Sequence, residues 1–310
     1  MNDGAGEGRV DPPVSVAIEL GRLARECSIE IGIHDLEQLA ESRAYRAPAS
    51  KVYLSFLHEQ AWEETERAAR AIRSAGFEPV PHVPVRRIPS ARALERLLYN
   101  LVRGAQVREV LLIAGDYDLA NGPYSCAADV LRAGVLEDVG LTRVSVGGHP
   151  EGHPVVPLQK IREAEREKAT IAAEHGLEAT FVTQFFFEAA PFLRWVDDLR
   201  AHQVRSRIVA GLAGPATIAT LFRFGLRCGV GPSIRALGSR ARSVTALAAD
   251  HGPQQVMRTL AAARAGGQSD FDGFHFYTFG GYARTCRWIE RIANGRFTLD
   301  ERGGFEVARV

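Results

Sequence analysis

Polar side chains that could exchange protons or bind a ligand follow short apolar runs along this chain. They are Glu30, His82, Asp116, His149, Glu151, His153, Gln184 and His275. Carboxylates and imidazoles serve as acids and bases, and an amide pairs with the mixed donor and acceptor edge of a ligand. Because the strands of a parallel barrel all end on one face, side chains at their ends would meet there.

The elements that must position these residues alternate between strand-like and helix-like patterns. Eight strands are predicted at residues 28–33, 52–57, 77–82, 109–114, 143–147, 179–187, 207–211 and 271–278. Amphipathic helices are predicted at residues 59–74, 91–102, 125–133, 161–175, 190–202 and 218–228. Crossover helices of this length suit parallel strands. The pattern predicts an α/β fold, a (β/α)₈ TIM barrel with an extra N-terminal helix that ends near Cys27.

The chain length of 310 residues suits a barrel that forms one domain. Residues 1–13 are rich in Gly, Asp and Pro and are predicted to form a mobile N-terminal lead. Residues 14–295 are predicted to be the single catalytic barrel domain, and residues 296–310 a C-terminal tail without an assigned role.

The composition favours a small-molecule partner. The 38 Lys and Arg residues nearly balance 37 Asp and Glu residues, so no global field attracts nucleic acid or an anionic membrane. The four cysteines are widely separated, and no apolar run is long enough for a signal sequence or a membrane span. We therefore expect a cytoplasmic protein with reduced thiols. A homo-oligomer is compatible with the composition, which fixes no oligomeric state.

Six short motifs, in this order along the chain, resemble those of the methylenetetrahydrofolate reductase family. They are Ser28-Ile29-Glu30, Pro81-His82, Gly115-Asp116, Gly148-His149-Pro150-Glu151-Gly152-His153-Pro154, Thr183-Gln184-Phe185-Phe186-Phe187 and Phe274-His275-Phe276-Tyr277-Thr278. The resemblance covers about residues 28–293. It implies a (β/α)₈ barrel that reduces 5,10-methylenetetrahydrofolate to 5-methyltetrahydrofolate, usually by passing a nicotinamide hydride through bound FAD.

This reaction needs an acid, because the substrate's five-membered ring opens to an N5 iminium only when N10 receives a proton. Glu30 lies between Ile29 and Ile31, so we expect burial to raise its pKa toward neutrality. By resemblance Glu30 is the general acid. Asp116 matches the carboxylate that stabilises the iminium and contacts the substrate. Gln184 matches a glutamine that binds folate.

Each of these residues also has a purely structural interpretation. Glu30 could be a paired buried charge, Asp116 a turn or N-cap aspartate, and Gln184 a hydrogen-bond partner of a neighbouring strand. The run at residues 185–187 is predicted to pack in the barrel and against helices. His275 is predicted to be a core histidine with its hydrogen bonds satisfied.

The resemblance also assigns a set of residues to the cofactor. The loop at residues 149–153 matches one that contacts the flavin in the family. The predicted cofactor-binding residues are His82, His149, Glu151 and His153. His and Glu are common metal ligands, but the prolines and glycine of this segment indicate a loop without the helical spacing of a zinc motif. No metal is predicted.

The chain departs from the family pattern where the flavin binds. Ala114 replaces an arginine, His149 a tyrosine, and Gly280-Gly281 an Asn-Arg pair, while residues 161–175 lack a clean equivalent of an Asp and Lys. Each charged contact is worth roughly 1.5–3 kcal/mol, so losing several weakens FAD binding by orders of magnitude. We predict weak or absent FAD, with hydride passing directly from NADH or NADPH.

Three functions are compatible with these residues. The first is the reductase, with hydride delivered directly or through FAD. The second is a folate-dependent enzyme of other one-carbon chemistry, such as methyl transfer or methyltetrahydrofolate oxidation. The third is a non-catalytic folate-binding barrel, which the two carboxylates Glu30 and Asp116 disfavour.

Overall fold

Parallel strands close into a barrel in the computed structural model, which describes residues 12–45, 50–57, 60–115, 119–153, 155–217, 219–221 and 250–308. The strands are β1 (Ser28–Ile31), β2 (Lys51–Leu54), β3 (Glu78–Pro84), β4 (Glu109–Ile113), β5 (Arg143–Gly148), β6 (Glu178–Thr183), β7 (Arg207–Ala213) and β8 (Gly273–Tyr277). Each strand pairs with the next in chain order, and β8 pairs with β1 to close the barrel. The predicted (β/α)₈ fold is confirmed.

Helices surround the barrel wall. They are α1 (Pro12–Arg25), α2 (Leu39–Ser42), α3 (Trp62–Ser74), α4 (Ala91–Ala105), α5 (Ala127–Arg132), α6 (Val135–Asp138), α7 (Leu158–Glu174), α8 (Ala189–Ala201), α9 (Gln254–Ala265) and α10 (Tyr282–Ala293). Short 3₁₀ helices occupy Ile33–Gln38 and Val85–Arg87. None of the helices within the described ranges is both long and apolar enough to cross a bilayer.

One predicted strand extends well past the observed one, and one predicted helix lies largely outside the described residues. The strand predicted at residues 179–187 ends at Thr183, because the chain then turns Phe185 and Phe186 into buried positions. This places Gln184 after the strand rather than within it. Of the helix predicted at residues 218–228, only residues 219–221 are described, and they are helical.

The predicted extra N-terminal helix is α1, which packs against α9 and α10. Its buried face carries Leu20 and Leu23. The helix begins at Pro12, where proline is favoured because the first N–H of a helix has no partner. Two residues of the predicted lead therefore belong to the helix, and the remainder lies outside the described residues. The division into lead, domain and tail stays a prediction.

The C-terminal residues, which have no predicted element, form an antiparallel hairpin. Its strands are β9 (Phe297–Leu299) and β10 (Phe305–Val307). Phe305 is buried, and its ring stacks on that of Trp288 at a centroid distance of 6.4 Å. The hairpin covers α9 and α10.

The barrel interior contains polar groups as well as an apolar layer. Tyr53 packs with Val80, Leu111 and Val182 in the apolar interior cluster. Deeper in the barrel than this cluster, the Tyr53 hydroxyl lies 2.8 Å from Oγ of Ser145. Branched apolar side chains usually fill such interiors, so buried hydroxyls and charges here need specific partners.

Candidate active site

Glu30, His82 and His275 come together at the carboxyl end of the barrel. They lie on β1, β3 and β8 respectively. Oε2 of Glu30 is 3.3 Å from Nε2 of His82 and 3.6 Å from Nε2 of His275. The Glu30 side chain is 17% exposed, whereas that of His275 is fully buried. The carboxylate therefore faces the mouth with an imidazole on two of its sides.

The pKa of Glu30 is shifted in the direction opposite to the expectation from sequence. Burial raises this pKa, but the charge of His82 and the proximity of His275 outweigh burial and lower it to about 2. The error has a local cause, since Ile29 and Ile31 point to the other face of β1 and do not surround the carboxyl group. Glu30 by itself is thus ionised at neutral pH.

Gln184 lies at the end of β6, and its backbone is tightly placed. Its N–H donates to the carbonyl of Gly148 at 3.2 Å. A Cβ on Gly211 would lie 2.8 Å from the Gln184 carbonyl oxygen and 2.2 Å from that of Thr183. The Tyr277 hydroxyl donates to the Thr183 carbonyl at 2.8 Å and so joins β8 to β6 across the mouth. The half-buried Gln184 is fixed beside the strand ends.

The loop after β5 brings His149, Glu151 and His153 together at half-buried positions. The rings of His149 and His153 meet edge to face at a centroid distance of 6.0 Å. Burial, followed by the charges of His149 and Arg86, lowers the pKa of His153. A neutral ring is consistent with its Nδ1, which accepts a hydrogen bond from the N–H of Val155 at 3.3 Å.

A buried carboxylate on α7, Glu165, anchors this loop. It accepts hydrogen bonds from the His149 N–H at 2.7 Å, from Trp195 Nε1 at 2.9 Å and from Arg162 Nη1 at 2.8 Å. Burial raises its pKa, but the donors of His149 and Trp195 and the charge of Arg162 lower it to about 2. The carboxylate is therefore ionised and holds the loop to α7.

The cations beside this loop do not fit a flavin diphosphate. Arg162 donates to the carbonyls of His149 and Pro150, and Lys168 Nζ donates to the Gly147 carbonyl at 2.8 Å. Burial lowers the pKa of Lys168, while the charge of Glu165 opposes that shift. A diphosphate requires donors that are available to it, whereas these are used by protein oxygens. The predicted loss of flavin contacts stays a prediction.

Asp116, predicted as a catalytic and substrate-binding residue, lies outside the described residues. Its neighbour Gly115 adopts a φ of +89°, a conformation that favours glycine. Within the described ranges, no group of His, Cys, Asp and Glu side chains could hold a metal ion.

Sequence reasoning missed three residues that surround Glu30. Ser28 Oγ lies 2.8 Å from Nδ1 of His275, and the Tyr53 ring contacts the His275 ring at a centroid distance of 4.7 Å. Tyr53 and Tyr277 are the register partners of Glu30 on β2 and β8. The alternation of Ser28 and Glu30 along β1 places both on one face of the strand, but it does not indicate the contact with His275.

Fold and site together define a (β/α)₈ barrel with an acid-base cluster at the carboxyl ends of its strands. The model of the family described as methylenetetrahydrofolate reductase matches residues 60–283, and the chain belongs to that family. A 5,10-methylenetetrahydrofolate reductase from Pectobacterium carotovorum subsp. carotovorum is 29% identical over 154 residues. That match covers 48% of this chain and 48% of the relative, so it spans about half the relative's length.

Solved structures with a similar course of the backbone include two other enzymes. Dihydropteroate synthase from Thermus thermophilus is 12% identical with a TM-score of 0.45, over 85% of this chain and 91% of that one. The 3-dehydroquinate dehydratase from Aquifex aeolicus is 11% identical with a TM-score of 0.37, over 66% and 86%. Likeness at this level bears on neither the substrate nor the reaction.

Proposed function

We propose that this chain reduces 5,10-methylenetetrahydrofolate to 5-methyltetrahydrofolate with a hydride taken directly from NADH or NADPH. The observation that supports it most strongly is the placement of Glu30 between two imidazoles at the barrel mouth, in a chain of the reductase family. A folate is the small-molecule partner in this proposal, and the enzyme acts in the cytoplasm.

The first step transfers a proton to N10 of the substrate. The bond between N10 and the methylene carbon breaks, its electron pair stays on N10, and an N5 iminium remains. Because Glu30 by itself is ionised at neutral pH, we assign the transferred proton to the site formed by Glu30 and His82, whose Oε2 and Nε2 atoms lie 3.3 Å apart. After the transfer, the Glu30 carboxylate faces the cationic iminium and stabilises it.

The second step is hydride addition to the methylene carbon of the iminium, which gives the 5-methyl product and oxidised nicotinamide. Gln184 supports this step by binding the pterin, since its amide offers both donors and an acceptor. Asp116 adds a second carboxylate near the iminium, as the family resemblance implies. His149, Glu151 and His153 line the side of the mouth where the nicotinamide ring stacks.

The test is anaerobic oxidation of NADH and of NADPH with 5,10-methylenetetrahydrofolate, using protein stripped of flavin and the same protein with FAD restored. We expect turnover without flavin. If turnover requires FAD, the protein is still a reductase, but the proposal of direct hydride transfer is wrong. If folate binds but neither condition gives turnover, the reductase proposal fails and a folate enzyme of other one-carbon chemistry replaces it.

A further inference from the structure

The buried histidine on β8, His275, has a polar neighbour at each of its ring nitrogens. Nδ1 lies 2.8 Å from Oγ of Ser28, and Nε2 lies 3.6 Å from Oε2 of Glu30. Ser28 and His275 are register partners on adjacent strands, and Glu30 is two residues further along the same face of β1. The imidazole thus links a buried hydroxyl to the carboxylate that faces the mouth.

The Glu30 carboxylate, which can only accept a hydrogen bond, favours one tautomer of this ring, and the hydroxyl of Ser28 can complement it. When Ser28 donates to Nδ1, the ring hydrogen resides on Nε2 and points toward the Glu30 carboxylate. The opposite tautomer would direct a lone pair of Nε2 at the carboxylate, which is repulsive. The arrangement therefore favours an N–H donor aimed at Glu30.

Aromatic packing prevents His275 from turning away. Tyr53 meets its ring at a centroid distance of 4.7 Å and an interplanar angle of 75°, and Tyr277 meets it at 4.8 Å and 84°. Tyr53 is itself fixed, because its hydroxyl lies 2.8 Å from Oγ of Ser145 deeper in the barrel. Because the ring is packed on two sides, its nitrogens stay directed at Ser28 and Glu30.

We propose that His275, fixed by Ser28, is a positioning residue that holds the Glu30 carboxylate beside His82 for proton delivery. The proposal rests on the function proposed above, because Glu30, which His275 would position, is the acid of that reaction. The His275 side chain is fully buried. It acts through Glu30, by keeping the carboxylate oriented and by stabilising its ionised form after the proton has left.

The other ionisable groups that face Glu30 bear on a pH test. Among the described residues they are His82 on β3, Tyr53 on β2, and His275 and Tyr277 on β8. The Tyr53 phenol does not titrate in the working range, because burial and then Glu109 raise its pKa well above the ordinary value. Tyr53 therefore does not contribute to the pH profile of the site.

The test is the Ser28→Ala variant, assayed for kcat, for KM of the folate and for the pH profile of kcat. We expect kcat to fall about tenfold while KM changes by less than about twofold, since the lost contact supports the proton transfer and not the binding of substrate. Without the positioned His275 donor, the ionised form of Glu30 is less stabilised, so Glu30 binds a proton more tightly. The basic limb of the profile should then move to higher pH, which a merely structural defect would not cause.

Two further variants and one control complete the experiment. Ser28→Thr keeps the hydroxyl and should recover most of the lost kcat, whereas His275→Gln should reproduce the loss. Ser42→Ala removes another fully buried hydroxyl, bonded to Leu39 and Tyr282, and should leave kcat and the pH profile unchanged. Melting temperatures show whether each variant is folded.

The outcomes separate this proposal from the one on which it rests. If Ser28→Ala and His275→Gln are folded and keep wild-type kcat and an unchanged pH profile, while Glu30→Gln is inactive, only the positioning role is overturned. If the wild-type protein itself gives no turnover with either nicotinamide, the proposed function has failed first.

Discussion

Oε2 of Glu30 lies 3.3 Å from Nε2 of His82, although the strands that carry them, β1 and β3, are separated in the barrel wall by β2. The contact passes over the ring of Tyr53, whose centroid is 6.4 Å from that of His82. At this separation a proton bound at one group is within reach of the other. In the proposed reaction the proton is therefore delivered by a pair of residues from two strands.

Replacing Glu30 by glutamine tests that conclusion most directly. Glu30→Gln keeps the shape of the side chain but accepts no proton, so we expect kcat to fall by about a hundredfold or more. Folate affinity should change by less than about threefold, because the proton is needed for ring opening and not for binding. Steady-state oxidation of the nicotinamide and calorimetric titration with a folate measure the two effects.

The matched control is Glu41→Gln, which removes a carboxylate whose side chain is 52% exposed and paired with Arg287 on the surface. It should retain wild-type kcat and affinity. If Glu30→Gln turns over at the wild-type rate, the proton comes from another group and the assignment of the acid is wrong.

Gly211 on β7 controls the position of Gln184. An added Cβ would lie 2.2 Å from the Thr183 carbonyl oxygen and 2.8 Å from that of Gln184, and both contacts are with backbone that cannot rotate away. We expect Gly211→Ala to lower the free energy of unfolding by about 2 kcal/mol, as overpacking does. The KM for folate should rise, because the end of β6 must shift. Urea unfolding and steady-state kinetics provide the measurements.

Gly273→Ala on the adjacent strand is the control for this substitution. Its Cβ would lie 3.5 Å from Cγ1 of Val209, an ordinary van der Waals distance. A change of less than about 0.5 kcal/mol is expected there. Equal losses of stability in both variants would contradict the steric argument for Gly211.

The barrel and the face that carries the site could be predicted because both follow from local patterns. Apolar runs that alternate with amphipathic helices specify parallel strands, and parallel strands end on one face. The polar residues that follow those runs therefore mark the mouth before any contact is known. The loop at residues 149–153 was placed in this way, as was Gln184.

The partners of Glu30 could not be predicted, because they come from distant strands. His275 and Ser28 meet only when β8 closes on β1. The apolar neighbours Ile29 and Ile31 suggested a raised pKa, yet the face of β1 that Glu30 occupies is lined by imidazoles and phenols. The sign of a pKa shift depends on those tertiary neighbours and not on adjacent residues in the chain.

Another buried carboxylate, Glu109, is paired with the cation of Lys51. Nζ of Lys51 lies 2.6 Å from its Oε2, and Ser145 donates to its Oε1 at 2.6 Å. Lys51→Met removes the cation and leaves the charge buried, so we expect a loss of about 3 kcal/mol in the free energy of unfolding. Adding Glu109→Gln to that variant should recover about half of the loss. Lys160→Met, at an exposed position on α7, should change stability little.

Glu165 should make the stability of the protein depend on pH in the acid range. Its pKa is lowered from 4.5 to about 2, because the donors of His149 and Trp195 and the charge of Arg162 outweigh burial. A carboxyl group with a depressed pKa stabilises the fold fully above pH 4.5, and that contribution disappears as the pH falls toward 2. The shift corresponds to about 3 kcal/mol. Glu165→Gln should lose this amount at neutral pH and show a shallower decline in acid, as measured by urea unfolding at several pH values. The control is Glu174→Gln, which removes an exposed carboxylate on the same helix and should match the wild type. If stability declines equally in acid in all three proteins, Glu165 is not the source of the pH dependence.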